Sequence, residues 1–143
     1  MGLIIDLKAN EKVIVGDAVI SAGDSRTKIS IQGSAPIIRE KDVMTVERAD
    51  TACKKLYLLV QLMYLEKEPD PYFDDYFALV NEIQEAAPST TLFFLNISEK
   101  ILEGNLYKAL KEAKKLVDFE TALISHEMGL LTPSTTAPVE QRA

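Results

Sequence analysis

The hydrophobic period of this chain changes once, near residue 48, and no other feature narrows its fold as much. Up to that point the apolar residues come in short runs divided by turn signals. Residues 3–8 run Leu-Ile-Ile-Asp-Leu-Lys, 12–15 Lys-Val-Ile-Val and 18–21 Ala-Val-Ile-Ser, punctuated by Ala9-Asn10-Glu11, Gly16-Asp17 and Gly23-Asp24. Residues 27–31, Thr-Lys-Ile-Ser-Ile, alternate polar and apolar with the period of two that marks a strand with one buried face. Gly33-Ser34-Ala35-Pro36 breaks that run, and Ile37-Ile38 makes a last short one. Five strands this short cannot hide both faces alone, so they must pack on something else.

From about residue 48 the period is helical. Ala52, Leu56, Leu59, Val60 and Met63 fall at i, i+4, i+7, i+8 and i+11, one buried stripe. Pro69 and Pro71 end that helix, and Asp70 is expected to cap the next, with Pro71 at the first helical position, where its missing N–H costs nothing. Tyr72, Phe73, Tyr76, Phe77, Val80 and Ile83 form the second stripe. After Pro88, Ser89 is expected to cap a third helix carrying Leu92, Phe93, Leu95 and Leu102. Gly104-Asn105 is a turn signal, and a last helix carries Leu106, Leu110, Ala113, Leu116, Val117, Leu123 and Ile124. Residues 129–143 show no period and are expected to form a disordered tail. The expected fold is therefore α+β. A small five-stranded antiparallel β module (residues about 3–38, within a unit of 1–46) is followed by a four-helix region, 47–128, packed on it.

Charge divides along the same line. Residues 1–48 hold seven Lys/Arg and seven Asp/Glu, while residues 49–143 hold nine and fifteen, so the back half carries the whole net charge of −6. An acidic surface repels a phosphate backbone, which confines any nucleic-acid contact to a local patch, expected in the front half. The one cysteine, Cys53, allows no intramolecular disulfide, which suits a reducing compartment. Asp6 and Lys8 interrupt the apolar start, unlike a signal peptide, and the longest apolar runs are four residues or so, against the roughly 20 of a membrane helix. A cytoplasmic protein without membrane contact is expected.

Residues for catalysis are scarce. A Cys–His pair would have to join Cys53 to His126, the one histidine, yet Cys53 lies early in an amphipathic helix, where cysteine acts as a small hydrophobe. The six glycines are isolated, so no phosphate loop exists. Asp74-Asp75 and the acids between Glu66 and Asp70 lack the alternation of a calcium loop, and a tetrahedral zinc site would lack donors other than carboxylates. Lys111, Lys114 and Lys115 read as a solvated helix face beside Glu112 and Asp118. The expectation is a binding protein with no enzymatic activity, cofactor or metal. The aromatics Tyr57, Tyr64, Tyr72 and Tyr76 sit at helical spacing beside acids, which suits a core or a protein interface better than a base-stacking sheet. Arg39, just after the last strand, can offer a planar donor fork to a phosphate or a guanine edge, or can pair with Glu40 or Asp42.

The opening Leu-x-x-x-Leu-Lys, Asn10-Glu11-Lys12, Gly16-Asp17-Ala18-Val19, Gly23-Asp24-Ser25-Arg26, Ile38-Arg39-Glu40-Lys41-Asp42-Val43-Met44, Met63-Tyr64-Leu65 and Tyr107-Lys108-Ala109-Leu110 together resemble the FlbT flagellar regulators of alphaproteobacteria, from Leu3 to about Glu127. The Arg-Glu-Lys-Asp-Val-Met block is the most specific of these. The resemblance implies post-transcriptional control of flagellin: binding to the 5′ leader of flagellin mRNA, with an effect on its translation or decay. It also implies flagellin and the small helical protein FlaF as protein partners. Residues 3–44 are in addition similar to the carbon storage regulator family, a five-stranded protein that forms an intertwined dimer. There an arginine after the last strand and residues of the first strand bind an RNA hairpin loop. That likeness implies Arg39 and the segment from Ile5 to Lys8 as RNA contacts, with Lys41 beside them, and a homodimer. The family's basic pair on the first strand is Leu7-Lys8 in this chain, so one cationic contact is missing. The alternative is a chaperone-like partner that holds flagellin or FlaF through Tyr57, Tyr64, Tyr72 and Tyr76 and the acidic helices, without touching RNA.

Overall fold

The computed structural model describes residues 2–131, with side chains described through residue 125. Five antiparallel strands in two sheets are followed by four α-helices, the α+β arrangement expected. Strand β1 (Gly2–Leu7) pairs with β4 (Thr27–Gln32), with Leu7 opposite Thr27. Strand β2 (Lys12–Val15) is the centre of a second sheet, between β3 (Ala18–Ser21) and β5 (Ile37–Arg39). The turn after β1 separates the sheets. Asn10 takes the left-handed conformation (φ 65°) that its short polar side chain tolerates, and its N–H donates to the Gly23 carbonyl at 2.8 Å. Gly16 (φ 64°) reverses the chain in two residues between β2 and β3, a conformation strained for any residue with a Cβ. Period-two alternation turns Ile5, Leu7 and Val13 inward, and with Ala22 they form the small core of the β module.

Helix α1 (Ala52–Glu66) starts at Thr51, whose hydroxyl accepts from the Lys54 N–H, and stops at Lys67 in the left-handed conformation. Helices α2 (Phe73–Ala86), α3 (Thr91–Leu102) and α4 (Leu106–Leu131) follow. Helix α4 packs on α1 and α3, and α1 also on α2. Their core is built from stripes such as Leu56, Val60 and Met63 of α1 and Ala109, Ala113 and Leu116 of α4. Ile38 of β5 is part of this helical core too, with Ile14, Val43 and Met44 packed against it. The strand β5 and the segment after it thus join the two layers.

Five local expectations need correction. Asp70 caps nothing: a 3₁₀ turn, Asp70–Tyr72, comes first, its Tyr72 N–H is taken by the Pro69 carbonyl, and α2 begins at Phe73. Ser89 lies inside a second such turn, Pro88–Thr90, and α3 has no side-chain cap. Helix α3 buries Phe94, Ile97 and Ile101, while Leu92, Leu95 and Leu102 face solvent. Apolar residues occupy every side of that helix, so spacing alone allows two solutions, and contact with α4, seen in the Phe93–Phe119 ring pair at 5.1 Å, selects one. Leu123 and Ile124 are exposed, because Thr51, just before α1, bonds Glu120, and α4 runs on beyond the start of its partner. The tail expected at 129–143 begins inside α4, which reaches Leu131, and residues 132–143 lie outside the described residues. Among the described residues no helix is long and apolar enough to cross a membrane.

Candidate nucleic-acid interface

One face of α1 holds the β module. Tyr57, Gln61 and Tyr64 stand at i, i+4 and i+7, so they share a face, and each bonds backbone of the segment 37–44. The Tyr57 hydroxyl donates to the Asp42 carbonyl. The Gln61 amide accepts from the Met44 N–H at 2.8 Å and donates to the Met44 carbonyl at 2.9 Å. The Tyr64 hydroxyl accepts from the Ile37 N–H at 2.8 Å and donates to its carbonyl at 3.2 Å. Burial pushes the phenol pKa of both tyrosines up, so both stay protonated donors.

These bonds hold β1 and β5 beside α1 and α4 across a cleft of about 610 Å³. Its floor is apolar, with Ile5, Ile38 and Leu110, and its β1 rim carries the exposed Leu3 and Ile4. Four cations line it, Arg39, Lys41, Lys111 and Lys114, against one acid, Asp42. Lys114 reaches Asp42 at 3.8 Å. The Lys111 ammonium lies 5.5 Å over the ring of Tyr107, a ring half exposed to solvent and 5.8 Å from that of Tyr64. A positive cleft with an open aromatic face has the parts a single-stranded nucleic acid requires, cations for phosphates and a ring for a base.

The structure distributes the residues predicted for RNA unevenly. Ile5, Arg39 and Lys41 line the cleft, whereas Lys8 stands outside it, exposed in the turn after β1. Ile5 is almost wholly buried in the β core, so little of it is open to a ligand. Arg39 is largely engaged within the protein: its Nη2 donates to the Asp6 carbonyl at 2.7 Å and to both Glu11 carboxylate oxygens at 3.3 and 3.2 Å. The partner is Glu11, brought from the β1–β2 turn, and neither of its neighbours Glu40 and Asp42. All three bonds run from Nη2, so the other guanidinium nitrogens stay outside this network.

The predicted protein-binding tyrosines do not form one surface. Tyr57 and Tyr76 are buried, Tyr57 in the wall of the cleft with its hydroxyl on the Asp42 carbonyl and Tyr76 with its hydroxyl bonded to Ser98 Oγ at 2.8 Å, so neither offers an exposed ring to a partner. Tyr64 lines the cleft and Tyr72, half-buried, donates to Glu66 Oε2 at 2.6 Å. Sequence reasoning missed Tyr107, Lys111 and Lys114. They lie at i, i+4 and i+7 on α4, a spacing that could have marked a shared face, while Lys115 turns away to Glu112 at 3.0 Å. Cys53 is buried, and burial with the nearby Glu120 carboxylate pushes its thiol up to about 12, far from a reactive thiolate. Among the described residues no cluster of His, Cys, Asp or Glu could hold a metal ion.

The family model described as flagellar protein FlbT matches residues 3–124. The chain belongs to the FlbT family. A Rhodopseudomonas palustris protein named "Probable flagellum biosynthesis repressor protein FlbT" is 44% identical over 87% of this chain and 99% of its own length. A Bradyrhizobium diazoefficiens protein of the same name, FlbT 1, is 44% identical over 86% of this chain and 85% of its own. The Caulobacter vibrioides "Flagellum biosynthesis repressor protein FlbT" is 28% identical over 88% of this chain and 92% of its own. No solved structure matches the chain. The matched region of this FlbT-family chain takes in both the β module and the helices that close the cleft.

Proposed function

We propose that this chain represses flagellum biosynthesis after transcription, by binding the 5′ leader of flagellin mRNA and altering its translation or decay. The repressor name borne by its relatives supports the regulatory part of this reading. The observation that supports RNA contact is the cleft, lined by Lys41, Lys111 and Lys114 together with the half-exposed ring of Tyr107 on a chain otherwise acidic. In this reading the three lysines neutralise phosphates, Tyr107 stacks a base, and Arg39 chiefly braces β5 against the β1–β2 turn. The test is a titration of a labelled flagellin 5′ leader at several salt concentrations. Binding should weaken with salt, and Lys111→Ala should lower the log–log slope by about 0.7, the value of one phosphate contact on a single strand. Tyr107→Ala should weaken binding by about tenfold with the slope unchanged. Absence of binding at low salt, or a slope that Lys111→Ala leaves alone, would overturn the RNA contact.

A second reading is favoured by the Arg39–Glu11 ion pair at 3.2 Å, which engages the arginine among the residues expected to contact RNA. In it the chain regulates by holding flagellin or FlaF, and its effect on the transcript is indirect. Co-purification with either protein, together with no leader binding, would support it.

A further inference from the structure

The acidity of the chain is concentrated in one place. Residues 70–103 hold seven acids and one base, Lys100, a net charge equal to the −6 of the whole chain. Lys100 is itself held by Glu99 and Glu103, at 3.8 and 3.5 Å. This stretch is the α2–α3 hairpin, tied by Tyr76 to Ser98 at 2.8 Å and by Gln84 to Thr91 at 3.5 Å. Ser98 therefore marks the edge of α3 nearest α2, and Leu95 and Leu102, three before it and four after, flank it on the face left open to solvent. They are 61% and 78% exposed, and Leu92, one turn before Leu95, is 72% exposed. A hollow of about 540 Å³ lies among Leu95, Ser98, Glu99 and Leu102.

Leucines left in water beside carboxylates point to a definite occupant. A phosphate backbone is repelled by the charge, and so is a second copy of the same face, because a two-fold contact would set acid against acid. A helix with an apolar stripe flanked by lysine or arginine satisfies both features at once. We infer that the α2–α3 hairpin is a docking surface for a basic amphipathic helix of a partner protein, seated on Leu95 and Leu102 with its cations against Glu99 and Glu103. The residues involved are separate from those of the cationic cleft, so the inference does not rest on RNA binding.

The probe is a synthetic peptide of about 18 residues, five helical turns, built of leucine and lysine in an i, i+3, i+4, i+7 pattern and carrying a fluorophore. It is titrated with the full chain and read by anisotropy, beside a scrambled peptide of the same composition. The patterned peptide should bind about tenfold more tightly than the scrambled one, and Leu95→Ser with Leu102→Ser should remove about that advantage. Thermal unfolding should show the doubly substituted chain still folded, since both side chains already face solvent. Should it unfold instead, Glu99→Lys with Glu103→Lys serves, and must weaken the peptide to a similar degree. Equal binding of patterned and scrambled peptides, or binding that neither pair of substitutions changes, overturns the inference. So does a dimer of the chain alone that Leu95→Ser with Leu102→Ser dissolves, since the face would then belong to a second copy.

Discussion

Gln61 shows how much of the joint between the two layers rests on single side chains. It is buried, and its amide satisfies both backbone groups of Met44 in a segment with no sheet partner there. Gln61→Leu keeps the volume but leaves a donor and an acceptor without partners. It should cost about 2–4 kcal/mol in urea unfolding, well above the change expected of a surface substitution. Glu11 is the second such residue. Its carboxylate accepts from the Lys8 N–H at 2.9 Å and from Arg39, and these bonds, the backbone one foremost, hold its pKa below the ordinary 4.5. A group whose folded pKa is lowered stabilises fully above its unfolded value and loses that contribution as pH falls through the folded one. Thermal midpoints should therefore decline below about pH 4.5, and Glu11→Gln should flatten part of the decline while costing stability at pH 7. An acid limb of equal slope in Glu11→Gln would show that other carboxylates carry it. Neither residue's role was legible in the sequence. Gln61 reads as a polar member of a helical stripe, and the partner of Arg39 lies 28 residues away, where only the fold brings it near.

Among the elements, α1 followed its sequence pattern closely, α4 did so as far as Val117, and α3 did not. Leu116 on α4 is fully buried, and Leu116→Ala should cost about 2–5 kcal/mol, whereas Leu123→Ala, two turns on and largely past α1, should cost under about 0.5 kcal/mol. Equal losses in chemical denaturation would mean that α4 is covered along its full length. The strands were legible almost to the residue, since period two and glycine turns are local properties of the chain. Their division into sheets of two and three strands was not, because register between β1 and β4 pairs residues from Leu7 with Thr27 to Gly2 with Gln32, far apart in the chain. The caps proposed at Asp70 and Ser89 failed for a related reason. Prolines at 71 and 88 favour 3₁₀ turns, which satisfy the orphan donors before the side chains are needed.

Taken as one body, the chain is electrically two-sided, with a cationic cleft between the β module and α4 and an acidic, leucine-bearing hairpin formed by α2 and α3. The two faces should then act independently: Leu95→Ser with Leu102→Ser should change the affinity for flagellin leader RNA by less than about twofold, and Lys111→Ala should do the same for the leucine–lysine peptide, each measured in a separate titration. A larger effect of either would mean that the two share a site. From the sequence alone came the α+β class, the five strands, the four helices and the family resemblance, because each rests on short-range pattern or on the order of residues along the chain. The cleft is a product of the tertiary structure, as are the capture of Arg39 by Glu11 and the outward turn of Leu92, Leu95 and Leu102. In each case residues distant in the chain either meet or fail to cover one another, and hydrophobic period alone leaves both outcomes open.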